Sequence, residues 1–171
     1  MRSINITGKH NIDKLNEKDN DTYQAVRKHM GAIAEVTHQR QIELLREMVF
    51  INNTFCGLSS LLKSELNHKI QGYKSQDIKK ELHQADTLIK IENVVEKLLA
   101  DQLICAYCAK PVLVIYKNVR DPMQWTLDRL DNDLSHTNSN TCIACLKCNL
   151  QRRVMSAEKF SFTKKLKINK I

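Results

Sequence analysis

The sequence predicts a mostly helical α+β protein, in which a long helical region leads into a small β-containing module. Three observations predict it. Only four glycines and two prolines interrupt 171 residues rich in Leu, Ile, Glu, Lys and Gln, which favours long helices. Apolar residues recur at helical spacing as far as about residue 100. Five of the six cysteines then fall between residues 105 and 148, where short β-prone runs also gather.

Residues 1–21 are polar, mixed in charge and without apolar periodicity, so they are expected to be disordered and not to form a signal peptide. The helical region is expected over 22–100. Its first helix, near Thr22 to Thr37, carries Val26, Met30, Ile33 and Val36. From Gln39 the stripe continues through Ile42, Leu45, Val49, Leu58, Leu61, Leu62, Leu66 and Ile70, with Gly57 as a break and Gly72 as a stop. A further helix is expected from Ser75 as N-cap, with Asp77 in its first turn. Its stripe is Ile78, Leu82, Ala85, Leu88, Ile91, Val95 and Leu98. Such spacing establishes packing only, so the region is a scaffold or a homodimerisation element. His10, His29, His38, His68 and His83 stand apart from any ligand cluster, and Cys56 reads as a small buried apolar residue.

The module is expected over 101–160. Val112–Tyr116 and Trp125–Arg129 are predicted strands, joined by a turn at Asp121-Pro122, followed by a polar loop from Leu130 to Asn140. Ile143, Leu146, Leu150, Val154 and Met155 suggest one helix face. A basic tail, 161–171, carries Lys164, Lys165, Lys167 and Lys170.

The longest apolar run, Val112 to Tyr116, is far short of a membrane span, so a soluble intracellular protein with no membrane partner is expected. The formal charge of +8 is uneven. Residues 1–100 carry 15 Lys/Arg against 13 Asp/Glu, whereas residues 101–171 carry 12 against 6. A basic excess that travels with the cysteines favours a polyanion such as DNA.

Clustered cysteines without a secretory signal fit metal binding better than disulfides. Cys105-Ala-Tyr-Cys108 and Cys145-Leu-Lys-Cys148 each place two sulfurs on one side of a tight turn, which suits a structural Zn²⁺ site. Cys142 makes a third Cys-x-x-Cys with Cys145, so spacing alone leaves the pairing open.

Leu127-Asp-Arg-Leu-Asp-Asn132, Ser135-His136 through Asn140, and Cys145-Leu-Lys-Cys148-Asn149 with Arg152 together resemble the HNH endonuclease family. The likeness is to its zinc-bound ββα-metal subset, similar to phage recombination endonucleases, and it covers residues 101–155. It implies a hairpin and helix gripping a catalytic Mg²⁺ or Mn²⁺ through Asp128 and Asn149, with Asn140 bracing the loop. It also prefers Cys145 and Cys148 as the second zinc pair, because Asn149 follows directly. The activity implied is hydrolysis of DNA phosphodiester bonds.

A cation can stabilise the leaving oxygen, and one carboxylate with one amide oxygen suits Mg²⁺. Arg152, Arg153 and Lys147 are expected at the phosphate backbone. The family's usual base, a His after the metal Asp, is here Arg129, which stays protonated. His136 and Asp131 are the remaining candidates for the base, and Arg129 is either a phosphate clamp or structural. The competing reading is a zinc-dependent nucleic-acid-binding protein without catalysis, its helices serving as an adaptor.

Overall fold

In a computed structural model the described residues are 26–27, 35–50, 57–82 and 87–165. The elements, in chain order, are α1 (His38–Phe50), α2 (Gly57–Lys79), α3 (Ile91–Ala100), β1 (Trp125–Arg129), β2 (Thr141–Cys145), α4 (Leu146–Arg152) and α5 (Ala157–Lys165). No helix among the described residues is long and apolar enough to cross a membrane.

The mostly helical α+β class is what the sequence predicts, but several boundaries differ for physical reasons. Of the helix expected near Thr22 to Thr37, the described residues are not helical. Val26 makes an isolated bridge with Asn118, and the Thr37 hydroxyl instead caps α1 by accepting from Arg40 N at 3.2 Å. Gly57, at φ +58°, is the first residue of α2, and residues 51–56 between it and α1 lie outside the described residues. Gly72 does not stop α2, and Ser75 is no N-cap, since its hydroxyl back-bonds to Gln71 O at 3.0 Å within the helix. The stop comes at Glu81, where φ is +58°. Leu82 N bonds Asp77 O at 2.9 Å and Glu81 N bonds Ile78 O at 3.0 Å, a Schellman closure made without glycine. A separate helix, α3, begins at Ile91 and buries Val94, Val95 and Leu98. The expectations for residues 1–21, Cys56 and Ala85 lie outside the described residues.

The sheet has two antiparallel strands, with Leu127 opposite Ile143, Asp128 opposite Cys142 and Arg129 opposite Thr141. Two sequence expectations are corrected here. Val112–Tyr116 is buried but makes no ladder, only an isolated bridge of Leu113 with Gln124. Val112 and Leu113 bond to Leu103 O, Met123 O and Trp125 N, and a side chain serves the residues that follow: buried Gln41 accepts from Val114 N at 2.8 Å and Ile115 N at 2.9 Å, and donates to Ile115 O at 3.1 Å. The residues expected to begin a helix at Asn140 instead form β2, and the short α4 leaves Val154 92% exposed. The Asp121 turn holds, its carboxylate accepting from Met123 N at 2.8 Å.

Helix α2 lies along the outer edge of β1 and takes the bonds that a third strand would take. Leu127 N donates to the Tyr73 hydroxyl at 2.9 Å, and Lys69 Nζ donates to the Trp125 carbonyl. One apolar core then runs through both regions, from Leu45, Leu62 and Leu66 past Val94 and Leu98 to Trp125, Leu127, Ile143 and Phe160.

Candidate functional site

The knuckle after α3 and the junction of β2 with α4 bring four thiols together. Sγ atoms of Cys105, Cys108, Cys145 and Cys148 all lie within 4.8 Å of one another, and those of Cys108 and Cys145 are 3.9 Å apart. Tetrahedral zinc–thiolate bonds of ~2.3 Å put the sulfurs about 3.8 Å apart, so the cluster fits one zinc ion with little adjustment. Ala109 turns the first pair by adopting φ +53°, and Cys145 caps α4 by accepting from Cys148 N at 3.4 Å. Left to themselves the thiols compete for protons: the hydrogen bond with Cys145 pulls Cys105 down to about 4, while Cys145 is pushed up by the same bond. A bound zinc relieves that competition by keeping all four as thiolates. Cys142, ambiguous by spacing, is outside the cluster. It points to the Tyr107 hydroxyl at 3.6 Å, and burial pushes its thiol up to about 11.

The remaining sequence-selected residues fall around a cleft of about 820 Å³ between α2 and the hairpin with α4. Asp128, Arg129, His136, Asn149, Arg152 and Arg153 all line it. So do residues of the helical region, among them Lys69, Tyr73 and Lys80, and also Arg27 and Arg120. Seven Lys/Arg side chains thus face a single carboxylate, Asp128. Asp131 and Lys147 are not among the lining residues. Asp131 is exposed and forms the loop turn, its carboxylate accepting from Asp133 N at 2.9 Å, and Lys147 is exposed on α4. Asn140 braces the loop from both sides: its Oδ1 accepts from Asp131 N at 2.9 Å, and its Nδ2 donates to Asp131 O at 2.9 Å and Ser135 O at 3.0 Å.

Asp128 is 3% exposed, and both its oxygens are engaged. Arg152 donates to it through Nε at 2.6 Å and Nη2 at 2.8 Å, and the Tyr107 hydroxyl donates at 2.6 Å. Arg152 also donates to Arg129 O at 2.7 Å, Asn132 Oδ1 at 2.8 Å and Met155 O at 2.5 Å. A buried guanidinium spent in this way is a structural tie, not the phosphate contact expected from the sequence. Asn149 donates its amide to Thr126 Oγ1 at 3.1 Å and Leu127 O at 3.4 Å. The Asp128–Asn149 pair does not fit a divalent cation, because Arg152 already occupies the carboxylate that would hold one.

His136 is only 4% exposed and is held by a residue that sequence reasoning missed as a functional group. Asp77, 0% exposed on α2, accepts from His136 Nδ1 at 2.7 Å with one oxygen and from His136 N at 2.8 Å with the other. The imidazole stacks on Tyr73 with centroids 4.7 Å apart. Arg129 Nη1 lies 3.9 Å from the same Asp77 oxygen and donates to Leu134 O at 3.1 Å. Burial lowers the His136 pKa below its usual 6.5; the Asp77 bond opposes this in part, while Arg129 and Lys80 lower it further. The ring is therefore neutral near pH 7.

Compared with known proteins, the chain matches no family model, no curated protein and no solved structure. The likeness to HNH modules rests on the spaced motif residues. A four-cysteine, zinc-fitting cluster beside a hairpin and helix is what the structure supplies for it.

Lys69 is the other residue the sequence did not single out. Its ammonium sits 5.0 Å from the Trp125 ring centroid and 5.2 Å from that of Tyr116, and burial lowers its pKa to about 7. Lys69, Tyr73 and Asp77 follow one another at i, i+4 and i+8 along one face of α2. That spacing was visible, but nothing in the sequence marked the face as functional.

Proposed function

We propose that the protein is a zinc-stapled nuclease that takes a nucleic-acid strand along the basic cleft and hydrolyses a phosphodiester bond there. The observation that carries this reading is His136, oriented by Asp77, in a cleft whose rim carries the exposed Lys80, Arg120 and Arg153. With Nδ1–H given to Asp77, Nε2 keeps its lone pair and can take a proton from attacking water. Water then bonds to phosphorus as the P–O bond to the leaving oxygen breaks, and that oxygen is protonated from solvent. Arg129, buried beside His136 and tied to Leu134 O and Asp77, adds positive charge to this end of the cleft at a distance, without a direct phosphate contact. Arg153, Arg120 and Lys80 hold neighbouring phosphates, the chemistry that DNA and RNA share. Zinc fixes the module and takes no part in the reaction. No step runs through a cation on Asp128.

The second reading, a nucleic-acid-binding protein without catalysis, is favoured by the closed Asp128–Arg152 pair. Nicking of supercoiled plasmid and cleavage of labelled single-stranded RNA, compared between the wild type and His136→Ala, separate the two. Cleavage of either substrate that His136→Ala abolishes supports the nuclease. Binding that weakens steeply with salt, without cleavage, supports the second reading. Because Asp128 is taken, cleavage is expected to proceed equally with and without added Mg²⁺. An absolute Mg²⁺ requirement would mean that Arg152 leaves Asp128 when substrate binds.

A further inference from the structure

We infer that helix α2 is a working wall of the site, and that Asp77 is the positioning residue that sets the tautomer of His136. The inference rests on the nuclease reading for its consequence, though not for its geometry.

A purely structural aspartate would need only one of its two bonds. The bond from His136 N to Oδ2, at 2.8 Å, is enough to pin the loop to the helix. The second oxygen is directed at the ring, 2.7 Å from Nδ1. A carboxylate only accepts, so Nδ1 must carry the hydrogen and Nε2 must be the basic nitrogen. Tyr73, one turn earlier on α2, stacks on the ring and fixes its plane. Asp77 and Tyr73 from α2 and Lys80 just after it, with Arg129 from β1, are the titratable and charged groups around this imidazole. The base is therefore selected by a helix that lies outside the zinc module.

The experiment uses the full chain carrying Asp77→Asn, a near-isosteric change. The Asn oxygen can still accept from His136 N, but its NH₂ then faces the ring and requires Nδ1 to accept. The hydrogen moves to Nε2, and the lone pair needed for water activation is lost. General-base catalysis contributes roughly 10²–10⁴-fold, so kcat should fall about 10²-fold or more, while affinity for a non-cleavable strand stays unchanged. Loss of the Asp77 bond also lowers the His136 pKa, so the acid limb of any residual rate moves to lower pH. Unchanged kcat with an unmoved limb would overturn the inference.

Imidazole ¹⁵N NMR of the wild-type chain keeps the test independent of whether Asp77→Asn folds. An Nδ1–H tautomer at His136 supports the inference, and an Nε2–H tautomer overturns it. If the wild type shows Nδ1–H but cleaves neither substrate, the nuclease reading fails while the positioning geometry stands.

Discussion

The two walls of the cleft are held in place by different physics. The hairpin wall is short, with two five-residue strands and a seven-residue helix, and four cysteines that fit one zinc ion gather at its base. The α2 wall is a 23-residue helix held by Leu62, Leu66 and Ile70 in the core, and by Tyr73, Lys69 and Asp77 reaching across to β1 and the loop. The cysteine cluster ties the knuckle after α3 to the junction of β2 and α4. The helix, whose position costs only ordinary packing, carries a buried carboxylate to the site. The core is shared between the walls, and the groups lining the cleft come from both.

Removing the staple should produce the largest effect. Structural zinc contributes on the order of 10 kcal/mol of folding free energy, so Cys148→Ser is expected to drop bound zinc from one ion per chain to none and to unfold the module. Because the core is continuous, circular dichroism and tryptophan emission should report loss in α2 as well, with Trp125 as the probe. A zinc-free variant with native spectra would break the comparison.

Next comes the buried pair. Asp128→Ala leaves the Arg152 guanidinium buried without its carboxylate, and urea unfolding should show a loss of about 3–5 kcal/mol. A small change in stability with a large loss of rate would instead make Asp128 a cation ligand.

On the other wall, Leu66→Ala should cost about 2–5 kcal/mol through the cavity left between α2 and its neighbours, while zinc stoichiometry stays at one. Loss of zinc in that variant would show that the module cannot hold its ion without the helix.

The smallest effect is expected at the rim. Arg153→Ala should leave the melting temperature unchanged and lower the salt dependence of nucleic-acid binding by about one counterion. An unchanged salt slope would take Arg153 off the phosphate path.

The Cys-x-x-Cys pairs were legible because their spacing is local, but Cys142 made a third such pair, and the preference for Cys148 came from the resemblance. β1 was legible as a local β-prone run, whereas the bracing by Asn140 was implied by the resemblance alone. Three features were not, and each is a tertiary substitution for a local signal. Gln41 replaces the partner strand expected for Val112–Tyr116, Glu81 closes α2 where a glycine at 72 suggested a stop, and Arg152 takes the place of a cation at Asp128. Asp77 was visible only as a helix-start acid, since its partner lies 59 residues away. His136 was chosen for its chemistry, and Asp77 supplies the orientation that the sequence could not show.

Hydrogen–deuterium exchange of the full chain, with and without a saturating oligonucleotide, tests most directly whether both walls form one nucleic-acid cleft. The account predicts that the strand slows exchange together in the 68–79 stretch of α2 and in the hairpin and α4 region around 126–153. Protection confined to the zinc module, with α2 unaffected, would contradict it.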